Sequence, residues 1–212
     1  KTVIVTGASR GIGAAIARYL AGQGYAIAIN YSSDEEGAFG LARDIAAAGG
    51  TASSYRADVA VEDEVVDLFE MACHDLGPLA ACVCNAGITG GLSRVEDVSA
   101  AVLQDVFAVN VSGAFLTARE AVRRMSLRHG GHGGSIVTVS SRAAQLGGSG
   151  EWVHYAASKA ALDTLTIGLA REVAAEGIRV NAVAPGLIDT GLHAAAGAPD
   201  RLTRLQPLIP MG

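Results

Sequence analysis

The stretch Thr2–Gly13, TVIVTGASRGIG, decides how the rest of the sequence is interpreted. It opens with a short β-branched run, which favours a buried strand. Gly7, Gly11 and Gly13 follow, and an Ala-rich segment that favours a helix extends to about Gly22. This order is the context of a phosphate-binding loop, because glycines let the backbone approach a phosphate and the helix N-terminus supplies N–H donors. The spacing is G-x-x-x-G-x-G rather than G-x-G-x-x-G, so the loop has to be weighed with the rest of the chain.

Segments typical of strands and of helices alternate along the whole chain. Six strands that alternate with helices predict an α/β fold: a doubly wound parallel sheet of the Rossmann type, with three α/β/α layers in a single domain. The predicted strands are Thr2–Thr6, Tyr25–Tyr31, Ala52–Ala57, Ala80–Cys84, Ser135–Val139 and Ile178–Ala184. After the helix that ends near Gly22, the predicted helices are Glu35–Ala48, Val61–Leu76, Val98–Val111, Gly113–Arg128, a long helix that carries Tyr155 and continues to about Glu176, and a short one around Pro199–Gln206.

Length and composition exclude several classes of partner. The 212 residues suffice for one domain with a sizeable core, and 50% of them are hydrophobic. The formal net charge of −5 argues against nucleic acid or an anionic membrane as a partner. No apolar run approaches the ~18 residues of a membrane span, and the chain opens directly on a strand-like run rather than on a signal peptide. We therefore expect a cytoplasmic protein.

The cysteines and histidines do not predict a metal site. Cys73, Cys82 and Cys84 cannot all pair with one another, and further ligands at suitable spacing are lacking. Buried reduced thiols are the favoured interpretation, with Cys82 and Cys84 facing the same side of a strand. The loop from His129 to Gly134 contains two histidines among glycines, which is more typical of a solvated connector than of a metal site.

The pair Tyr155 and Lys159 is the strongest candidate for chemistry. A helix brings residues i and i+4 to one face, so the two side chains project side by side. A free phenol titrates near ~10, and a neighbouring ammonium lowers that pKa, as proton transfer at neutral pH requires. A lone Y-x-x-x-K is more often an ordinary amphipathic helix. The pair gains meaning only with a nucleotide site upstream, which the glycine loop supplies.

The end of the second predicted strand bears on the choice of cofactor. In dinucleotide folds an acidic residue at this point holds the ribose 2′-OH of NAD. Here Tyr31 and Ser32 occupy it, whereas the nearest acidic residues, from Asp34 on, fall in the first turn of the next helix. Arg10 in the glycine loop suits a 2′-phosphate. The sequence therefore favours NADP(H), with NAD(H) as the alternative.

Two further strands end in residues that suit a ligand. The fourth runs into Asn85-Ala86-Gly87 and the fifth into Ser140-Ser141. Open α/β sheets bind ligands at the carboxyl ends of their strands, so these residues are candidates for the site. The same residue types also form simple turns, and the sequence leaves that alternative open.

Taken in order, these motifs resemble those of the short-chain dehydrogenase/reductase family. The set is Thr6-Gly7-x-x-x-Gly11-x-Gly13, Asn85-Ala86-Gly87, Asn110, Ser141 and Tyr155-x-x-x-Lys159, and the match covers nearly the whole chain. Members similar to oxoacyl-carrier-protein reductases and to sugar dehydrogenases resemble it most.

The resemblance implies a catalytic tetrad. Tyr155 would be the general acid/base, and Lys159 would lower its pKa and hold the nicotinamide ribose. Ser141, rather than Ser140, would orient the substrate carbonyl or hydroxyl, and Asn110 would support a water in a proton relay. The glycine loop, the strand ends and the resemblance together predict the residues that contact the cofactor. They are Gly7, Ser9, Arg10, Gly11, Ile12, Gly13, Tyr31, Ser32, Asp58, Val59, Asn85, Ala86, Gly87, Tyr155, Lys159, Pro185, Gly186, Ile188 and Thr190.

The chain departs from the family pattern in two places. Cys84 stands where the family usually has a second asparagine, which predicts the loss of one hydrogen bond worth about 1 kcal/mol. The family usually continues past Pro210–Gly212 through another helix and a seventh strand, which close the substrate pocket and pack across a subunit interface. The resemblance therefore also implies a homo-oligomer, a tetramer or a dimer.

The implied function is hydride transfer between NADP(H) and a small-molecule carbonyl or secondary alcohol. An NAD-dependent sugar or polyol dehydrogenase is the alternative, and a catalytically silent nucleotide-binding sensor or scaffold is the alternative of another class. The substrate cannot be deduced from the sequence. Its walls are expected in the loop Arg142–Val153 and the lid Leu187–Pro210, where Glu151, Trp152, His154 and His193 are candidate contacts that could equally be structural.

Overall fold

Six parallel strands form one sheet with helices on both faces in a computed structural model that describes residues 1–209. The doubly wound, Rossmann-like fold is thereby confirmed. The strands are β1 Thr2–Val5, β2 Ala26–Tyr31, β3 Thr51–Arg56, β4 Leu79–Cys84, β5 Gly134–Val139 and β6 Ile178–Val183. The α-helices are α1 Gly11–Gly22, α2 Glu35–Ala47, α3 Glu62–Leu76, α4 Ala100–Phe107, α5 Gly113–Met125, α6 Ala143–Leu146, α7 Val153–Val173, α8 Leu192–Ala195 and α9 Arg201–Leu205.

The strand order is β3-β2-β1-β4-β5-β6. From β1 the chain winds outward to β3, then crosses to β4 on the other side of β1 and winds outward again. The connections that leave β1 and β4 therefore diverge, and a crevice opens between the carboxyl ends of these two strands. This crevice is where the glycine loop after β1 and the Asn-Ala-Gly turn after β4 meet.

The core consists of one apolar layer on each face of the sheet. On one face α1 and α2 pack through small and branched side chains such as Ala17 and Leu41 against Ile27 and Ile29. The other face is larger and contains the fully buried Phe69. Cys82 and Cys84 both face this second layer, as the alternation of side chains along a strand requires.

One helical run differs from the prediction of two helices. α4 and α5 are joined without a break by a π-helical turn, Ala108–Ser112, and α5 ends at Met125 rather than at Arg128. The run Ala100–Met125 is long and apolar enough to cross a membrane by length and composition alone. In this fold it is a helix of the domain, because it packs on the core through residues such as Ala118.

The face that carries α1 is incompletely covered towards β6. A groove of about 630 Å³ lies there, and its wall is mostly apolar. Two of the residues that line the groove are largely exposed: Tyr19 of α1 at 68% and Val183 of β6 at 55%. The remaining lining residues are Gly11, Ile12, Ala15, Ile16, Leu20, Val83, Val137, Ile188, Asp189 and Thr190.

A buried asparagine links β2 to both of its neighbours at the edge where the crevice opens. Asn30 is 1% exposed; its Oδ1 accepts a hydrogen bond from the Gly7 N–H at 3.1 Å, and its Nδ2 donates to the Ala57 carbonyl at 2.9 Å. We expect Asn30→Ala to lower the free energy of unfolding by about 2–3 kcal/mol in urea denaturation, because the buried Ala57 carbonyl and the half-buried Gly7 N–H would both lose their hydrogen bonds.

The matched control is Asn181→Ala on β6, where the side chain is exposed. Its effect should stay within about 0.5 kcal/mol, as is usual for surface substitutions. Equal effects of the two substitutions would contradict the structural role of Asn30.

Candidate active site

The glycine loop adopts the conformation that an approach to phosphate requires. Gly7 and Gly11 have φ values of 59° and 58°, in the left-handed region that favours glycine. A β-carbon added at Gly7 would lie 2.9 Å from Ala86 Cα, so the loop also presses directly against the turn after β4. α1 begins at Gly11 and its N-cap, Arg10, makes no side-chain capping bond, which leaves N–H donors of the first turn at the crevice.

Thr6 and Asn85 clamp the ends of β1 and β4 together. Thr6 Oγ1 accepts from the N–H groups of Asn85 and Ala86 at 3.0 and 3.1 Å and donates to the Val83 carbonyl. Asn85 Nδ2 donates to the carbonyls of Thr6 and Gly7 at 2.8 and 2.9 Å. The predicted cofactor residue Asn85 therefore holds the shape of the glycine loop. Thr6 lies outside the predicted site, although its hydroxyl at the end of a β-branched strand was visible in the sequence.

The end of β2 combines two cations with two acidic residues, Asp34 and Glu35, and the Glu35 carboxylate accepts from the Tyr31 hydroxyl at 3.4 Å. Arg10 is exposed and its guanidinium lies 3.6 Å from the Asp34 carboxylate. Arg56, at the end of β3, donates from Nε to the Ser32 carbonyl at 3.3 Å. Arg56 is not among the residues predicted from the sequence. The parallel register that sets it opposite Tyr31 is the signal that would have identified it.

The predicted adenine contacts lie at the carboxyl end of β3. Asp58 Oδ1 accepts from the Ala60 N–H at 2.9 Å, and the Asp58 N–H donates to Glu64 at 2.7 Å. Val59 is buried, and a β-carbon added at Gly113 would lie 2.7 Å from its Cγ2. Asp58 therefore shapes the turn between β3 and α3, whereas the side chain of Val59 mainly packs against the start of α5.

Tyr155 is buried beside the two serines that follow β5. Its pKa is raised above the ordinary value by burial, and the Ser141 hydroxyl and the Arg201 guanidinium each lower it in part. The Ser140 hydroxyl donates to the Lys159 carbonyl at 3.2 Å and is thus used inside the fold. Ser141 is the serine that the structure brings to the phenol.

Lys159 lies on the same helix face as Tyr155, with Nζ 5.7 Å from the centroid of the phenol ring. It was predicted to lower the pKa of Tyr155, but here Nζ donates to the Val139 carbonyl at 2.8 Å. Burial lowers the pKa of Lys159 to about 8. Cys84 lies nearby, at the position where the family usually has a second asparagine. It is buried, and its Sγ faces the Ala114 carbonyl at 4.0 Å.

Asn110 is placed by the π-helical turn. Its Oδ1 accepts from the Ile88 N–H at 2.8 Å, and its Nδ2 donates to the Ile88 carbonyl and to Ser158 Oγ, both at 2.9 Å. A β-carbon added at Gly87 would lie 3.2 Å from both Asn110 Oδ1 and Lys159 Nζ. Asn110 and Lys159 therefore converge on the turn after β4, next to Tyr155.

The segment after β6 lies opposite the glycine loop. The Pro185 carbonyl accepts from the Arg142 N–H at 2.9 Å, and a β-carbon added at Gly11 would lie 3.7 Å from Thr190 Cγ2. Ile188 and Thr190 line the groove on α1 together with Ile12. Gly186 lies between these contacts, and Pro210, the last residue of the predicted lid, is outside the described residues.

Of the candidate substrate contacts, His154 is directed away from Tyr155, whereas Trp152 lies against it. His154 Nε2 hydrogen-bonds to the Thr89 carbonyl at 2.8 Å, away from the phenol. Trp152 meets Tyr155 edge to face at 5.7 Å and stacks with His193 at 6.3 Å. Within residues 1–209, no three His, Cys, Asp or Glu side chains form a group that could hold a metal ion.

Comparison with known proteins gives consistent matches along the chain. The model of the short chain dehydrogenase family matches residues 1–200. An uncharacterized oxidoreductase of Escherichia coli (strain K12), YgfF, is 50% identical over 208 residues, which make up 98% of this chain and 84% of that protein. A 3beta-hydroxysteroid dehydrogenase 1 of Eggerthella lenta is 41% identical over 216 residues, with 100% of this chain and 80% of that enzyme covered.

A solved structure extends the likeness to three dimensions. A short chain dehydrogenase from Burkholderia cenocepacia J2315 in complex with NADP superposes with a TM-score of 0.85 at 36% identity. The superposition covers 92% of this chain and 80% of that one. The crevice described above therefore belongs to a fold that holds a nicotinamide dinucleotide in a similar protein.

Replacing Lys159 by Met should stabilise the unliganded protein at neutral pH. Burial lowers the pKa of Lys159 to about 8, whereas an unfolded lysine titrates near ~10.4. Below pH 8 the ammonium is charged in both states, and its burial costs up to about 3 kcal/mol. That cost fades between pH 8 and 10.4, where the folded state has already lost the proton.

We therefore expect Lys159→Met to raise the free energy of unfolding by about 1–3 kcal/mol at pH 7 and by less at pH 9.5. This range already includes the cost of losing the hydrogen bond to the Val139 carbonyl. Urea denaturation at the two pH values measures this. The control Arg171→Met, an exposed cation on the same helix, should change stability by less than about 0.5 kcal/mol at both. A destabilised Lys159→Met protein at pH 7 would contradict the prediction.

Proposed function

Because this chain belongs to the short-chain dehydrogenase family, whose members act on alcohol and carbonyl groups, we propose that it is an NADP(H)-dependent oxidoreductase. It transfers a hydride between nicotinamide and the carbon of a carbonyl or secondary alcohol. The observation that carries this proposal is the convergence of Tyr155, Ser141, Lys159 and Asn110 beside the carboxyl ends of β4 and β5.

The protein's part in the reaction is to move a proton and to orient the substrate. The cofactor supplies or accepts the hydride when bound. In reduction, Tyr155 donates its proton to the developing alkoxide while Ser141 donates a hydrogen bond to the same oxygen. The raised pKa of Tyr155 suits this direction, since the phenol still carries its proton at neutral pH.

Lys159 and Asn110 support that proton transfer. The Lys159 ammonium would hold the nicotinamide ribose with the N–H donors that it does not give to the Val139 carbonyl, and its charge would favour the phenolate. Asn110 is held by hydrogen bonds to both polar atoms of the Ile88 backbone, so its position is fixed relative to Lys159. We assign it the support of a water in the proton relay.

The preference for NADP(H) over NAD(H) rests on the end of β2. A 2′-phosphate there would meet Arg10 and Arg56, and Arg56 already donates to the Ser32 carbonyl at this strand end. Asp34 opposes this by pairing with Arg10, but the pair is a long 3.6 Å contact in which Arg10 is 75% exposed, so solvent screens it and it is weak. The similar Burkholderia protein was solved with NADP.

Other properties stay predictions. A homo-oligomer, tetramer or dimer, and a cytoplasmic location fit the family resemblance, and the lid of the single domain is assigned to the segment after β6. An NAD-dependent sugar or polyol dehydrogenase, and a silent nucleotide-binding protein, are the outcomes against which the following experiments test the proposal.

Tyr155→Phe should lower kcat by more than about 100-fold, the usual scale of general acid–base catalysis, while NADPH still binds. The measurement is loss of NADPH absorbance with a panel of ketones, together with a fluorescence titration of NADPH. Tyr19→Phe, at an exposed tyrosine of α1, is the matched control and should keep wild-type kcat. A Tyr155→Phe protein with full activity would refute the assignment, and a wild-type protein that binds NADPH but reduces no ketone would favour the silent protein.

Arg10→Ala and Arg56→Ala should each weaken NADPH binding by about tenfold and leave NADH binding within about twofold, since only NADPH carries the 2′-phosphate. Isothermal titration of both cofactors against each variant measures this selectivity. Arg43→Ala, an exposed cation in the middle of α2, serves as the control. Equal losses for the two cofactors would favour the NAD-dependent alternative.

A further inference from the structure

A second cation besides Lys159 lies near Tyr155, and the mechanism above does not use it. Arg201, at the start of α9, donates from Nε to Glu151 at 2.9 Å. Its guanidinium carbon lies 4.1 Å from the centroid of the Trp152 ring, and the same ring meets Tyr155 edge to face at 5.7 Å. Only 16% of the Arg201 side chain is exposed. Trp152 is therefore the common surface on which Arg201 and Tyr155 are held.

The ion pair keeps Arg201 in this buried position. Removing a guanidinium from water is unfavourable unless a carboxylate and good hydrogen bonds compensate. Burial alone would raise the pKa of Glu151, but hydrogen bonds from Arg204 and Arg201 hold it below its ordinary value. Glu151 is thus a carboxylate at neutral pH, and its second oxygen accepts from Arg204 at 2.6 Å.

The same pair fastens the segment after β6 to the wall of the active site. Glu151 precedes α7, the helix that carries Tyr155, whereas Arg201 lies 50 residues further along the chain. Between them Ala196 is buried against Trp152 and Tyr155. The position of Arg201 relative to the phenol is therefore set from both sides, by the carboxylate of Glu151 and by the packing of this segment.

The other charged or titratable groups near Tyr155 are directed elsewhere. Lys159 donates to the Val139 carbonyl, and His154 is bound to the Thr89 carbonyl. His193 stacks on Trp152 and bonds through Nε2 to the Ile188 carbonyl at 3.0 Å. Of the cations near the phenol, Arg201 is the one that lowers the pKa of Tyr155 against the effect of burial.

We propose that Arg201, fixed by Glu151 and Trp152, is a positioning residue that places a second positive charge beside Tyr155 and favours its phenolate form. This inference rests on the proposed function, in which Tyr155 exchanges the proton. It assigns to the segment after β6 a role in acid–base chemistry in addition to that of a wall of the substrate site. Arg201 acts through Tyr155 and does not itself exchange a proton, since a guanidinium stays protonated.

The test is the pH profile of alcohol oxidation by Arg201→Met, with NADP+ and an alcohol found by screening. Oxidation requires the phenolate, so loss of the positive charge should shift the rising limb of kcat/KM to higher pH. We expect kcat/KM to fall by about fivefold at each pH below the pKa of Tyr155 and to approach the wild-type value at higher pH, as the removal of one partly screened charge predicts. Arg201→Lys, which keeps the charge, should restore most of the wild-type profile.

Arg204→Met is the matched control, because Arg204 is the second cation that pairs with the Glu151 carboxylate. The Arg204 side chain is 49% exposed, so its loss should leave the pH profile of kcat/KM in place. If Arg201→Met raises KM without moving the pH profile, Arg201 only fastens the segment and the proposal is overturned. The same holds if Arg204→Met shifts the profile equally.

The two proposals fail in different ways. An active Tyr155→Phe enzyme would overturn the proposed function whatever Arg201 does. An inactive Tyr155→Phe enzyme together with an unshifted Arg201→Met enzyme would overturn only the role of Arg201. A titration that does not depend on turnover separates folding from charge: the ultraviolet difference between each protein and its Tyr155→Phe counterpart reports the phenolate. It should appear at higher pH in Arg201→Met.

Discussion

The clamp between Thr6 and Asn85 is the interaction on which the site depends. β1 and β4 lie side by side in the sheet, yet the chain leaves their carboxyl ends in opposite directions. The hydrogen bonds of Thr6 Oγ1 and Asn85 Nδ2 fix the glycine loop to the turn after β4 across that divergence. Because Gly7 touches Ala86 directly, a side chain at that point would separate the two loops and widen the crevice. A site for a dinucleotide therefore needs both the clamp and the missing side chain.

A second constraint is electrostatic. The chain has two lysines, Lys1 and Lys159. All the other side chains that carry a positive charge at neutral pH are arginines, apart from any protonated histidine. Lys159 is also buried, and it is the residue whose ammonium has its pKa brought to about 8. A lysine is suited to that position because its ammonium has three N–H donors, so it can bind the Val139 carbonyl and keep donors for a ribose. Local stability is given up where the proposed chemistry needs a buried positive charge.

Most of the fold could be predicted from the sequence, because periodicity and turn residues are local signals. All six predicted strands are present, and the side-by-side placement of Tyr155 and Lys159 follows from helical spacing. The choice of Ser141 over Ser140 came from the family resemblance, since both serines follow the same strand. Arg56 and Arg201 were missed for a different reason. Their positions depend on strand register and on a contact between residues 50 apart, and neither leaves a local pattern.

The π-helical turn at Ala108–Ser112 links the length of one helix to both the site and the core. Each added residue rotates the rest of an α-helix by about 100°, and the wider turn absorbs such a residue without changing the faces on either side. Val106 before the turn and Ala114 after it can thus both face inward, with Asn110 between them. A single-residue deletion elsewhere in this helix would rotate α5 by about 100° relative to the sheet, whereas a deletion within the turn would leave a regular helix and displace Asn110. Among related sequences, we expect substitutions in this helix to be frequent and changes of its length to be rare.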